Sequence, residues 1–356
     1  MKRLLILSTA LCVPGLAANA QSLTVMSWGG AYETSQVEAY NKPFAAMKGI
    51  TVNMVAADNP ATPIKAQVEA NNVTVDVADV EYADAIRLCD EGLLEPIDAA
   101  VLPPAPDGTP AAEDFLPGAV TECAVSTIVF STIYAYDTTK FPQGPATMAD
   151  FFDLEKFPGK RGMRKGAKAN LEMALMADGV PADQVYEVLA TQDGIDRAFA
   201  MLDKIKAETI WWEAGAQPPQ LLADGEVAMT TAYNGRIFAA QVAEGKPFQI
   251  VWDGQVYEYD LFVIPKGAPN KDLALEYITF STDTQRLADQ AKWIAYGPAR
   301  KSSGSLVGLY QDGKTEMGPH MPTSAENLTN ALASSYEFWV DRDTELNERF
   351  NAWLLR

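Results

Sequence analysis

The sequence predicts an α/β protein of two lobes, each a central sheet flanked by helices. Three observations carry that prediction. Strand-like and helix-like segments alternate along most of the chain. A length of 356 residues with 48% hydrophobic side chains is ample for a large core divided between two domains. Between two such alternating sets lies one long β-prone stretch, Ala124 to Tyr136, able to run from one domain into the next.

Leu23 to Trp28 reads as a strand leading into Gly29-Gly30, with a helix from Tyr32 to Met47 after it. Ile50, Val52 and Met54 alternate as a second strand. Pro63 to Asn71 reads as a helix, Val75 to Val80 as a buried strand, and Tyr82 to Glu91 as a helix stopped by Gly92. This βαβαβ run implies a parallel sheet with right-handed crossovers. Ligands of such sheets sit beyond the carboxyl ends of the strands, where Trp28-Gly29-Gly30 and Glu81-Tyr82 fall. Leu102 to Pro117, rich in Pro, Ala and acidic residues, reads as a surface loop. In the second set, Asp193 or a neighbour caps a helix bearing Ile195, Phe199, Leu202 and Ile205. Val227 to Tyr233, Phe248 to Trp252 and Asp260 to Pro265 read as three strands. Helices then run from Lys271 to Phe280, from Thr284 to Lys292, and from Ala325 to the end.

The first twenty residues have the pattern of a secretory signal peptide. Lys2 and Arg3 precede an apolar run, Leu4 to Leu16, and Ala18-Asn19-Ala20 offers small residues where a signal peptidase cuts. Cys12 comes after Leu11, where a lipoprotein signal wants a small residue, so the reading is free release into the periplasm from Gln21 onward.

Composition removes whole classes of function. The chain carries 28 Lys+Arg against 47 Asp+Glu, a net charge of −19, and loss of Lys2 and Arg3 makes it more acidic. Nucleic acid and anionic lipid repel such a surface, so neither is a partner. The single histidine, His320, sits in a Gly/Pro-rich turn with no carboxylate or nucleophile beside it. Ser-His-Asp chemistry and the usual zinc sites therefore lack their parts, and no glycine-rich phosphate loop is present. No cofactor and no metal is expected, and the chain is read as a non-enzyme. Hydrolysis by paired carboxylates is compatible with the composition without being signalled by it. After export two cysteines remain, Cys89 and Cys123, and an oxidising compartment most simply joins them in one disulfide. A free thiol or metal ligation are the alternatives, and both lack neighbouring partners.

Four segments together resemble the extracytoplasmic solute-binding proteins of bacterial ABC transporters, nearest the spermidine/putrescine-binding group. They are Ser27-Trp28-Gly29-Gly30; Val75 to Tyr82 with Glu91 to Asp98; Asp224 to Met229 running into Tyr233-Asn234-Gly235-Arg236; and Tyr259 to Ala268, continued to Ile294-Ala295-Tyr296-Gly297-Pro298. The resemblance implies a type II periplasmic binding protein fold whose lobes are residues 21–133 plus 262–303 and residues 134–261 plus 304–356. Two crossing strands would serve as the hinge. It further implies a monomer that closes over a small solute and hands it to a membrane permease.

Alignment with the polyamine group places Asp260 against a ligand ammonium and puts Tyr233, Tyr296, Tyr82 and Trp28 around the ligand's methylenes. An acid within an aromatic box is sound chemistry for an alkylammonium, because ring faces attract cations. The sequence then departs from that group. Before Met173-Ala174-Leu175, where the group carries acids, stand Arg164, Lys165 and Lys168. Arg236 appears just after Tyr233-Asn234-Gly235 and offers a planar fork to a carboxylate. One acid and one or more bases suit a zwitterion, such as γ-aminobutyrate or another ω-amino acid. Putrescine or spermidine is the second reading and a quaternary or thiamine-like cation the third. The linear order leaves open whether Arg236 or Arg164 and Lys168 would meet the carboxylate.

Overall fold

The computed structural model describes residues 21–356, so the expected signal peptide lies outside the described residues. Ten strands form one sheet: β1 (Ser22–Ser27), β2 (Thr51–Ala56), β3 (Val77–Glu81), β4 (Ala124–Asp137), β5 (Arg161–Arg164), β6 (Thr209–Trp212), β7 (Met229–Tyr233), β8 (Phe248–Val263), β9 (Gly297–Pro298) and β10 (Leu332–Ala333). Their order is β2-β1-β3-β8-β4-β7-β5-β6, with β10 beside β8 and β9 beside β4. β1 pairs in parallel with both β2 and β3, as the βαβαβ pattern requires. The helix expected over Tyr32 to Met47 spans Gly30–Gln36, one wider turn at Val37–Asn41, and Lys42–Lys48. Gly49 ends it in the left-handed conformation.

β4 and β8 tie the two halves together. They pair antiparallel from Ala124↔Val263 to Asp137↔Phe248, with irregularities between Ser126 and Ile128 and between Thr132 and Tyr134. The two strands expected at Phe248–Trp252 and Asp260–Pro265 are therefore one strand of 16 residues. Tertiary bonds hold Asp253, between the two expected strands, in the sheet. Met148 N donates to Asp253 Oδ2 at 2.7 Å, and Asn330 Nδ2 donates to Asp253 Oδ1 at 2.8 Å. Gly254 adopts φ 70, and an added Cβ would meet Met148 at 2.9 Å, so only glycine fits there.

Three further differences are local. The helix near Asp193 starts at Gln192 and is capped by Thr191, whose Oγ1 accepts from Gly194 N. The C-terminal helix begins at Tyr336, not Ala325, because Asn327 ties the preceding segment into turns by donating to the carbonyls of Pro319 and Met321. β5 and β6, four residues each, are too short to show a period in the sequence.

The apolar cores are divided between the two halves. Leu23, Val25, Phe44, Val77, Phe262 and Tyr277 pack on one side of the molecule. Phe151, Leu171, Phe199, Leu202, Trp339 and Phe350 pack on the other. Between them lies an aromatic cluster of Tyr32, Phe130, Trp212, Tyr233 and Tyr296, with Ile128 and Ile294. Cys89 and Cys123 form the expected disulfide, with Cα atoms 5.9 Å apart, joining helix Tyr82–Asp90 to the start of β4.

Candidate functional site

Strand register builds the site. β3 and β8 run antiparallel with Glu81 directly opposite Asp260 and Asp79 opposite Phe262. Side chains alternate along a strand, so Asp79, Glu81, Glu258 and Asp260 share one face. Like charges opposite one another weaken a sheet, so these acids need partners. Glu81 has them: Arg164 Nη1 lies 2.9 Å from its Oε1, and Lys168 Nζ lies 2.9 Å from its Oε2. Burial favours its neutral form, but the two cations prevail and hold its pKa at about 2. Lys168 also reaches Glu258 Oε2 at 2.5 Å; burial nevertheless pushes Glu258 up to about 8.

Asp79 and Asp260 lack such neutralisation. Burial pushes Asp79 up to about 7, against hydrogen bonds from Gln36 and Ser27, the nearby Tyr32 hydroxyl and the charge of Arg236. Burial, reinforced by the charges of Asp79, Glu81 and Glu258, holds Asp260 well above the ordinary carboxylate range.

Beside these acids lies a small cavity lined by Trp28, Tyr32, Glu81, Phe130, Tyr233, Arg236, Asp260 and Tyr296. Trp28 comes directly after β1, and Gly29 and Gly30 turn the chain away with φ 67 and 60. Gly30, at φ 60, takes a conformation that side chains rarely adopt, directly beside the Arg236 guanidinium. Tyr233 ends β7, and the next residue, Asn234, anchors the chain there. It accepts from Ser131 N at 3.1 Å and donates to the carbonyl of Ala295 at 2.5 Å. The second of these bonds places Arg236 and Tyr296 on the same cavity. Tyr296 packs edge-on to Tyr32 at 5.3 Å, and Phe130 packs edge-on to Tyr233 at 5.5 Å.

The polar atoms facing this space are incompletely satisfied. Arg236 Nη2 donates to the carbonyl of Trp28 at 3.3 Å, while its Nε and Nη1 have no partner. Asp260 Oδ1 and Trp28 Nε1 are likewise buried without a partner. Such groups are costly unless something bonds them. The arrangement offers donors at one point, an acceptor at another, and aromatic faces around them.

Five of the six residues singled out in the sequence, Trp28, Tyr233, Arg236, Asp260 and Tyr296, line this one cavity. Tyr82 does not. One residue beyond Glu81 it starts helix Tyr82–Asp90, and its ring packs 4.4 Å from Tyr336 and 5.7 Å from Tyr259. Sequence reasoning misses Tyr32 and Phe130, and it places Glu81 at the ligand end of its strand without giving it a role. Glu81 is signalled only by its place at a strand end, and Tyr32 by its closeness to Gly29-Gly30. Lys168 is taken up by Glu81 and Glu258 and Arg164 bonds Glu81 through Nη1, whereas Arg236 keeps two buried nitrogens without a partner.

The family described as bacterial extracellular solute-binding protein matches residues 39–323. The chain belongs to the bacterial extracellular solute-binding proteins. A γ-aminobutyric acid-binding protein of Pseudomonas aeruginosa is 47% identical over 339 residues, covering 95% of this chain and 92% of that protein. A spermidine/putrescine-binding periplasmic protein of Salmonella typhimurium is 28% identical over 183 residues, about half of each chain. Among solved structures, the periplasmic binding protein MotA of A. tumefaciens with glucopine superimposes with a TM-score of 0.85 at 30% identity, over 94% of this chain and all of that one. The γ-aminobutyrate receptor Atu4243 does so with a TM-score of 0.78 at 32% identity, over 94% and 98%. This solute-binding protein thus has the periplasmic binding protein fold expected from its sequence, and its family binds solutes rather than transforming them. Among the described residues no helix is long and apolar enough to cross a membrane.

Proposed function

We propose that this solute-binding protein captures an ω-amino acid, γ-aminobutyrate being the leading candidate, and delivers it to an inner-membrane ABC permease. The observation that carries the reading is the pairing of an unsatisfied guanidinium, Arg236, with an unsatisfied carboxyl, Asp260, in one aromatic-lined cavity. A ligand carboxylate would meet the fork of Arg236 and a ligand ammonium would meet Asp260, with Trp28, Tyr233 and Tyr296 around the methylenes. The relative in Pseudomonas aeruginosa and the receptor Atu4243, both described by their γ-aminobutyrate binding, support this choice. The working molecule is a periplasmic monomer. Its lobes are residues 21–133 plus 262–303 and 134–261 plus 304–356, bending about β4 and β8.

Titration calorimetry with γ-aminobutyrate and putrescine tests the reading, with mass spectrometry of the ligand recovered afterwards. One-to-one binding of γ-aminobutyrate, returned chemically unchanged, and weaker binding of putrescine are expected. Preference for putrescine would remove the zwitterion reading, and a chemically altered ligand would remove the carrier.

A further inference from the structure

Behind the cavity wall, the chain's own charges are arranged so as to limit what the cavity accepts. Four carboxyl groups, of Asp79, Glu81, Glu258 and Asp260, share one face of β3 and β8. Three cations stand among them, Arg164, Lys168 and Arg236. Lys168 is the most enclosed of the two that pair with Glu81. Its side chain is 12% exposed, and its ammonium bridges Glu81 Oε2 at 2.9 Å and Glu258 Oε2 at 2.5 Å. Glu81 itself lines the cavity, so the ammonium sits directly behind one wall of the site.

The backbone holds Lys168 there against local preference. Ala169, the next residue, has φ 65, a conformation that a side chain makes unfavourable. Asn170 Nδ2 fastens the same loop by donating to the carbonyls of Arg164 at 2.6 Å and Gly166 at 2.8 Å. Strain and fastening both serve to place one ammonium between two carboxylates.

We propose that Lys168 is the specificity-determining residue against diamines: its tethered ammonium satisfies Glu81 and Glu258, and so fills the role that the second ammonium of a diamine would otherwise fill. This rests on the ω-amino-acid reading of the cavity. A zwitterion adds no net charge to the cluster. A diammonium adds two positive charges, of which Asp260 can take one, while the other meets acids already occupied and three cations nearby. Discrimination then comes from a built-in repulsion as well as from the attraction at Arg236. Without Lys168, Glu258 loses its partner and Glu81 keeps only Arg164 beside the cavity, and a dication becomes the better match.

The test is calorimetry with γ-aminobutyrate and putrescine on the wild-type protein, on Lys168→Met, and on Lys168→Met combined with Glu258→Gln. Methionine keeps an unbranched apolar stem and removes the charge. In Lys168→Met the ratio of putrescine to γ-aminobutyrate affinity should rise about tenfold or more. In the double variant, which also removes one acid, the ratio should fall back. An unmoved ratio in Lys168→Met, with both ligands weakened alike, would overturn the proposal, as would failure of the double variant to reverse the change. If Lys168→Met does not fold, Arg164→Gln, which frees the other oxygen of Glu81, is read in the same way. Its ratio must rise as well, and an unmoved ratio overturns the proposal. Wild-type preference for putrescine would instead strike the zwitterion reading itself, a result visible before any variant is made.

Discussion

Arg236 and Asp260 line the same cavity without pairing with each other. Each keeps a buried polar atom free, Nε and Nη1 on the arginine and Oδ1 on the aspartate. Two opposite charges in one enclosed space would ordinarily collapse into an ion pair, because an unpaired buried charge is costly. Here Nη2 donates to the carbonyl of Trp28, and Asp260 is fixed in the register of β8. The two are held apart, and a ligand carrying both charges can bond each.

Asp260→Asn keeps the shape and removes the charge. Its expected effect is a loss of about 2–5 kcal/mol for any ligand with an ammonium group. Arg236→Gln should weaken γ-aminobutyrate to a similar degree and leave putrescine unchanged, because only the amino acid has a carboxylate for the fork. Calorimetry on both variants with both ligands reads this directly. Equal weakening of the two ligands by Arg236→Gln would make the arginine a structural residue.

Asp79 makes stability fall as pH rises. Its folded pKa, pushed up to about 7 by burial, lies above the ordinary aspartate value of about 3.9. A raised folded pKa means that the folded state holds the proton more tightly. The associated stability is full below the unfolded value and is lost as pH climbs through about 7. The melting temperature of the wild-type protein should decline between pH 5 and pH 8, and Asp79→Asn should flatten that decline. A variant as pH-sensitive as the parent would assign the effect to other groups.

Replacing Cys89 and Cys123 together by alanine should cost roughly 3–4 kcal/mol, the chain-entropy worth of a 34-residue loop. The bridge joins a helix to the start of β4, and neither cysteine lines the cavity. Ligand affinity should therefore stay close to that of the parent. Denaturant unfolding and calorimetry on one preparation separate the two quantities, and a large loss of affinity would show that the bridge shapes the site.

Closing about β4 and β8 predicts a smaller molecule in the presence of its solute. Small-angle scattering should show the radius of gyration fall when γ-aminobutyrate is added, with a rise in melting temperature from preferential binding to the folded state. A radius indifferent to ligand would describe a rigid module.

Much of this is legible in the sequence, for reasons visible at single positions. The order β1, β2, β3 comes from period-two strands separated by amphipathic helices, and Asp260, Tyr233 and Arg236 from motif-like neighbourhoods. The features that escape a linear reading depend on contacts between distant residues. Phe248 to Trp252 and Asp260 to Pro265 look like separate strands until Met148 and Asn330 hold Asp253 between them in one. Glu81 is one acid among many until antiparallel register sets it opposite Asp260. Lys168 and Arg164 read as free bases because nothing in the linear order brings Glu81 and Glu258 to them. Tyr82 reads as a site residue because alignment with the polyamine-binding group puts it there, whereas the side chains of neighbours at a strand end diverge.

The face-to-face placement of Glu81 and Asp260 also bears on how this protein can change under selection. Two acids opposite one another in the middle of a sheet are a local weakness, one that the proposed capture of a solute would account for. A search for heat-resistant variants that ignored the ligand would find neutral substitutions at Asp260 and Asp79 among its earliest gains. Robustness and capture would then part company, and the hardiest descendants of this chain would be those that no longer carry anything.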